Sequence, residues 1–137
     1  MFKLYSIAIV LLTWSLLPGP TPDAVKLVTS PYSFNKTIKN IKVAIASNNF
    51  RIVREKTGNN AHTLYFCNFD IAHKAILKDK KVGALLPCKI KIIKNKSKII
   101  VATVNVDALI NKTGIKIGSL CNKIKSSIDT ILEDSMI

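Results

Sequence analysis

The chain has 137 residues, enough for a single domain with its own core, and 48% of them are hydrophobic, which excludes a disordered or fibrous protein. The formal net charge is +13, but nineteen of the twenty-one basic residues are lysines. A surface evolved to grip phosphates or base edges is expected to use the bidentate fork of arginine more often. The composition therefore argues against a nucleic-acid-binding protein.

The first residues have the layout of a secretory signal. Lys3 is followed by an uncharged apolar run at 4–17 and by a proline-rich stretch at 18–22. A run of this length is shorter than the roughly twenty residues that a membrane-spanning helix needs. Residues 1–24 are therefore predicted to be a signal peptide, and we expect export to the periplasm or beyond. Since no Ala-x-Ala site precedes Asp23, an uncleaved anchor is the alternative, and membrane contact would then run only through this segment.

Residues 25–137 are predicted to form one domain, which begins with a strand, a helix and a hairpin. A β-favouring run precedes Ser30, and Ser33 is a good N-cap for a helix to about Asn48 with an apolar stripe on one side. A strand at 50–53, a turn at 55–61 and a returning strand at 62–69 follow. We therefore expect an antiparallel hairpin after the first helix.

The second half of the domain shows a short helix, another hairpin and a final helix. Asp70 is a candidate cap for a helix to about Lys78, followed by a loop at 79–83. Lysines alternate with isoleucines at 88–93, which is typical of a half-buried strand, and parity places Cys88 on its inner face.

A turn at 95–97 leads to a strand at 99–106, and a connection at 107–118 with room for a helical turn precedes the final amphipathic helix. In that strand one face is shared by Ile100, Ala102, Val104 and Val106. The order β-α-β-β-α-β-β-α predicts an α+β fold, a two-layer sandwich with helices packed on one mainly antiparallel sheet.

Three cysteines, Cys67, Cys88 and Cys121, carry most of the possible chemistry. There is no C-x-x-C or C-x-x-C-H, so a thioredoxin-type pair, a paired-cysteine zinc site and covalent c-type haem all lack their signature. Cys121 lies on the apolar stripe of the last helix and is interpreted as a small buried hydrophobe. Cys67 and Cys88 flank the short helix, which leaves a disulfide, two free thiols or a functional thiol or metal pair as alternatives.

Polar residues near strand ends complete the candidate binding site, which consists of Cys67, Asn68, Asp70, His73 and Cys88. Either His73 or His62 is also a candidate ligand of a metal held by the two cysteines, although a surface histidine without a ligand is the simpler interpretation. No phosphate loop, nucleophile elbow or zinc-protease motif is present, and the acidic residues are scattered. The sequence therefore indicates no catalytic residues, argues against an enzyme and leaves any cofactor or metal unidentified.

Three segments resemble exported, cysteine-containing members of the domain of unknown function 302 family: YFCNFD at 65–70, GALLPCKI at 83–90 and LC at 120–121. The resemblance covers about residues 27–134 and implies a small bacterial α/β sandwich with no established activity. It also implies that the three cysteines occupy family positions and act together. The chain departs from the family pattern at three places: Asp-Pro-Arg is expected at 79–81, an aromatic residue is expected near His73, and a longer insert is expected at 55–62.

Three functions from different classes remain. The first is an envelope binding or accessory module for a small ligand, haem or metal, or for another envelope protein, and polar residues at strand ends support it. The second is a thiol-dependent redox or sulfur-handling protein using Cys67 and Cys88, which needs an accessible thiol of lowered pKa. The third is a basic surface protein that binds anionic lipid or nucleic acid, supported only by net charge. A homodimer is compatible with each.

Overall fold

The computed structural model of the protein describes residues 24–136, in which five strands form one antiparallel sheet in the order β1-β5-β4-β3-β2. The elements in chain order are β1 (Val25–Ser30), α1 (Phe34–Ser47), β2 (Arg51–Gly58), β3 (Ala61–Cys67), α2 (Phe69–Lys78), a 3-10 helix (Lys80–Leu85), β4 (Cys88–Asn95), β5 (Lys98–Val104), α3 (Val106–Thr113) and α4 (Leu120–Met136). The α+β sandwich is confirmed. The predicted signal peptide falls almost wholly outside residues 24–136, a part of the chain in which no helix is both long and apolar enough to cross a membrane.

Helix α1 begins as the sequence predicts. The Ser33 hydroxyl accepts a hydrogen bond from the Lys36 amide at 3.2 Å, which satisfies one of the unpaired amides of the first turn. The stripe on its inner side includes Ile41 and Ile45, both fully buried. The helix ends at Ser47, and Asn49 adopts φ 65°, a left-handed conformation that asparagine tolerates and that turns the chain toward β2.

The predicted hairpin is present and is formed by β2 and β3, but the predicted turn at 55–61 is wrong. Strand β2 continues to Gly58, and the turn is only Asn59 and Asn60, the second with φ 55°. The polar run that indicated a turn is compatible with a strand because β2 lies at the edge of the sheet, where charged side chains reach water.

Helix α2 is capped by Asn68 rather than by Asp70. The Asn68 side-chain oxygen accepts from the Ile71 amide at 3.1 Å, and its backbone is extended, as an N-cap requires. Asp70 instead lies in the first turn of the helix, where a negative charge interacts favourably with the helix dipole. The loop predicted after this helix contains the 3-10 helix.

The end of β5 also differs from the prediction. The strand stops at Val104, Asn105 caps α3 by accepting from the Ala108 amide at 3.2 Å, and Val106 is buried as the first residue of that helix. The connection predicted at 107–118 is therefore mostly helical. Gly114 closes the helix with φ 69°, a conformation that favours glycine.

All four α-helices lie on one side of the sheet, and the main core lies between them and the strands. That core combines α1 and α4 residues with inward side chains of the strands, among them Leu64, Phe66, Ile90, Ile92 and Val101, all fully buried. The rings of Phe50 and Phe66 meet edge to face with centroids 5.5 Å apart. A smaller cluster under the 3-10 helix contains Ala75, Val82, Ile115, Ile117 and Leu120.

Candidate functional site

The other side of the sheet has no helix on it in residues 24–136, and we call it the uncovered face. Side chains alternate along a strand, so register defines which residues share this face. They are Val25, Leu27 and Thr29 of β1, Arg51, Arg54 and Lys56 of β2, Ala61, Thr63, Tyr65 and Cys67 of β3, Lys89, Lys91, Ile93 and Asn95 of β4, and Lys98, Ile100, Ala102 and Val104 of β5.

The register also assigns the two faces of β5. Ile100, Ala102 and Val104 share a face, as predicted, and it is the uncovered one, whereas Ile99, Val101 and Thr103 are buried beneath the helices. Both faces of β5 are largely apolar, so periodicity alone does not tell which one enters the core.

The uncovered face is divided into a basic half and an apolar half. The basic half comes from β2, β3 and β4, where the Arg54 guanidinium lies 5.6 Å from the centre of the Tyr65 ring. The apolar half comes from β1 and β5, where Val25 is 51% exposed and Leu27 65% exposed. One face therefore combines positive charge with exposed aliphatic side chains.

Within residues 24–136 no carboxylate balances this charge on the uncovered face. The only acidic residue in the five strands is Glu55, and it points to the helix side. There the Lys42 ammonium of α1 donates to a Glu55 oxygen at 3.1 Å, and the His62 ring lies 3.0 Å from the other oxygen. Hydrogen bonds from His62 and Lys42 lower the pKa of Glu55 below its ordinary value.

A shallow groove of about 440 Å³ runs across the middle of this face, and we call it the basic groove. Among the described residues its lining contains three cationic side chains and no anionic one: Ala24, Val25, Lys56, Gly58, Ala61, Thr63, Tyr65, Lys89, Lys91, Ala102, Thr103 and Val104. Its volume lies in the range of small-molecule sites.

The residues predicted as a binding site are only partly brought together. Cys67, Asn68 and Asp70 line an open depression of about 630 Å³ between the end of β3 and the start of β2. The Asn68 side chain is already engaged, because its oxygen caps α2 and its amide donates to the Asn49 carbonyl at 3.2 Å. Neither Cys88 nor His73 lines this depression.

Cys67 and Cys88 lie close together in the β3–β4 ladder, but their side chains point to opposite faces of the sheet. Cys88 is paired with Phe66, so it shares the helix side and packs against the main core. Cys67 is also buried, but it does not belong to that core cluster, because strand alternation directs its side chain to the other face. Both thiols are free. Burial, with a smaller contribution from Cys67, raises the pKa of Cys88 to about 11, and burial raises the pKa of Cys67.

The histidines do not join the cysteines. His73 is exposed on α2, while the two ring nitrogens of His62 face Thr57 and Glu55, at 3.1 and 3.0 Å. Across residues 24–136 no three histidine, cysteine or acidic side chains converge as a metal site would need.

Cys121 packs against both apolar clusters, as expected for a residue on the stripe of α4. It is only half-buried, and its sulfur lies 4.0 Å from an Asp107 oxygen whose partner oxygen binds Lys125. Burial and the Asp107 charge raise the pKa of this thiol, while Lys125 acts in the opposite direction. Its position in α4 separates it from the uncovered face.

The uncovered face is not among the sites predicted from the sequence. A signal was present, because Lys89 and Lys91 alternate with buried isoleucines and must therefore share the opposite face. The pattern along β4 does not reveal the strand register, and it is the register that places Lys56 of β2 and Val104 of β5 beside these two lysines.

Comparison with known proteins agrees with this architecture. The crystal structure of an uncharacterized conserved DUF302 protein from Bacillus stearothermophilus matches with a TM-score of 0.73 and 14% identity, over 81% of this chain and 97% of that chain. At that identity the match shows a shared fold. No curated protein matches the chain. The family model described as domain of unknown function DUF302 matches residues 27–135, so the chain belongs to the DUF302 family.

Proposed function

We propose that the protein is an exported binding module that holds a small anionic ligand with an apolar portion in the basic groove. The observation that carries this proposal is the composition of the groove, in which Lys56, Lys89 and Lys91 are the only charged residues within the described part of the chain and aliphatic side chains form a wall beside them. It matches the first of the functions drawn from the sequence, at a different place on the domain.

The groove supplies two kinds of interaction. Each lysine ammonium has three donors and suits a phosphate, sulfate or carboxylate group as a point charge. Val25, Ala102 and Val104 offer apolar area on the β1–β5 side, where a hydrocarbon portion would leave water. A ligand with only one of these two chemistries would use half of the groove.

The strand-end depression supports a binding function less well. Its amide side chain is committed to backbone groups, and its single thiol, Cys67, has a raised pKa. A raised pKa keeps a thiol protonated at neutral pH, which disfavours nucleophilic or redox chemistry. The same reasoning applies to Cys88, so the thiol-dependent hypothesis finds no support in the geometry.

Titration calorimetry with three probes tests the proposal: dodecyl phosphate below its micelle concentration, inorganic phosphate and dodecyltrimethylammonium. We expect dodecyl phosphate to bind best, because it alone satisfies both halves of the groove. The double variant Lys89→Gln/Lys91→Gln should weaken its binding by about thirtyfold, since each lysine near an anion contributes about 1 kcal/mol.

The matched control is Lys39→Gln/Lys123→Gln, which removes the same charge from exposed positions on α1 and α4. It should leave dodecyl phosphate affinity within a factor of about two, as expected for screened surface charges. Equal losses in the two double variants would show a general charge effect and overturn the proposal.

Export itself rests on the signal-like sequence of residues 1–24. The apolar run stops at Leu17, and polar, β-favouring sequence begins after Asp23, so we expect the mature chain to start between Pro20 and Val25. N-terminal sequencing of the protein recovered from the envelope or medium measures this directly. Recovery mainly in the cytosol with Met1 intact would overturn export.

A further inference from the structure

The apolar half of the uncovered face extends beyond the basic groove. Leu27 is 65% exposed and does not line the groove, and neither does its neighbour Ile100 on β5. A single small ligand in the groove would leave these side chains in water. A broader apolar partner would cover them.

The two sides of the domain differ in where the acidic residues lie. Within residues 24–136 no acidic side chain belongs to the uncovered face, which carries four cationic side chains in its central part, Arg54, Lys56, Lys89 and Lys91, and two more at strand ends, Arg51 and Lys98. The helical side also carries many lysines, but there they are mixed with the acidic residues, and several are paired, as in Lys26–Asp129 and Lys125–Asp107. A flat anionic surface therefore meets no opposing carboxylate on the uncovered face.

The chain enters the described fold at this same face. Ala24 and Val25 line the basic groove, and the apolar run at 4–17 ends seven residues before Ala24. Seven residues reach at most about 25 Å when fully extended. Where residues 1–24 are retained as an uncleaved anchor, the uncovered face is held within that reach of the headgroups, which raises its effective concentration at the surface, whereas the mature chain binds through the charge and the aliphatic side chains of the face itself.

We propose that the uncovered face docks on the surface of a lipid bilayer that contains anionic phospholipids. This inference rests on the proposed function and names the amphiphile as a lipid presented in a membrane. The four cationic side chains meet the headgroup phosphates, and Val25 and Leu27 enter the boundary between headgroups and acyl chains. The helical layer faces away from the membrane.

A tryptophan placed on each side of the mature chain tests the orientation. The single native tryptophan, Trp14, lies within the predicted signal peptide and is absent from the mature chain, so Leu27→Trp reports on the uncovered face and Leu77→Trp on the exposed side of α2. Vesicles of phosphatidylcholine mixed with phosphatidylglycerol should shift the Leu27→Trp emission to the blue and protect it from iodide. The emission of Leu77→Trp should neither shift nor become protected from iodide.

Lysine variants measure the charge dependence. Binding of the mature chain to vesicles of phosphatidylcholine alone gives the background due to apolar contacts, and the increment with phosphatidylglycerol reports on the charge of the uncovered face. Lys89→Gln/Lys91→Gln should reduce this increment about thirtyfold, while Lys39→Gln/Lys123→Gln should retain it within about twofold. Circular dichroism checks that both variants are folded.

The outcomes separate this inference from the proposed function. If dodecyl phosphate binds in the lysine-dependent way described above but phosphatidylglycerol adds nothing to vesicle binding, membrane docking is overturned and the small-ligand function stands. Equal emission shifts at positions 27 and 77 would also overturn the docking orientation. If neither dodecyl phosphate nor phosphatidylglycerol shows a lysine-dependent effect, both proposals fail.

Discussion

Cys88 lies directly opposite Phe66 in the β3–β4 ladder, and Cys67 lies one residue beyond this pair. Successive side chains of a strand point to opposite faces, so Phe66 and Cys88 share the helix side while Cys67 points away from it. A disulfide needs Cβ atoms that approach within about 4.5 Å, and thiols on opposite faces of a ladder do not meet this requirement. Cys67 and Cys88 are therefore neighbours in the ladder, as expected, but their side chains do not face each other as a disulfide bond requires.

We therefore expect the two thiols to act independently in stability. Cys67→Ser and Cys88→Ser should each destabilise by about 1–2 kcal/mol, because each replaces a buried thiol by a hydroxyl that loses its water. The double variant should show the sum of the two losses. Urea unfolding with and without reductant measures this. A wild-type midpoint that falls on addition of reductant, or a double variant no worse than either single one, would show that a crosslink forms.

Acid should weaken the contact between β2 and α1. The pKa of Glu55 is lowered by its hydrogen bonds to His62 and Lys42, so its contribution is present above the unfolded value of 4.5 and is lost as pH falls through the lower folded value. Glu55→Gln should cost about 0.5 kcal/mol at neutral pH, given its partly exposed position. The difference between variant and wild type should disappear in strong acid. Urea midpoints across the acid range would contradict this if the difference were independent of pH.

Asp79 ties two connections together. Its carboxylate accepts from the Lys81 amide and from the Lys116 amide, both at 3.0 Å, and these bonds lower its pKa. Asp79→Ala should therefore speed hydrogen exchange of these two amides at neutral pH while amides in the centre of β4 keep their protection. In wild type the same acceleration should appear as pH falls through the lowered pKa, after correction for the intrinsic exchange rate. Unchanged exchange at Lys116 in the variant would show that the bond contributes nothing to local order.

Substitutions at adjacent positions of β4 should differ sharply in their effect on the free energy of unfolding. Ile90 is fully buried beneath the helices, so Ile90→Ala should cost about 2–5 kcal/mol through lost burial and a cavity. Lys91 is exposed on the uncovered face, and Lys91→Ala should stay within about 0.5 kcal/mol. Thermal or urea unfolding of the two variants provides the comparison. Similar losses at both positions would contradict the assignment of the faces.

Nucleic-acid binding should be weak despite the net charge of +13. Only Arg51 and Arg54 offer a bidentate fork, so we expect contacts with phosphates alone, without sequence preference and lost at modest salt. Fluorescence anisotropy with unrelated DNA duplexes over a salt series measures this. Submicromolar affinity at physiological ionic strength that disappears when Lys89, Lys91, Lys94, Lys96 and Lys98 become alanine would contradict it.

Local patterns in the sequence were enough to predict most elements. The hydroxyl at Ser33 and the spacing of Ile41 and Ile45 predict α1, because capping and a 3.6-residue period depend only on neighbours along the chain. Alternation in β4 likewise places Ile90 and Cys88 on the same side. Errors arose where two local signals compete, as at Asn68 and Asp70, either of which is able to cap a helix.

The sequence by itself determined the α+β class, the order of most strands and helices and the inward direction of Cys88, since each follows from short-range periodicity. Only the tertiary structure decided which apolar face of β5 the helices cover, because the strand is hydrophobic on both. It also decided that Cys67 and Cys88 lie on opposite sides of one ladder. The basic groove depends most on it, because Lys56, Lys89 and Val104 come from three strands and meet only through long-range register.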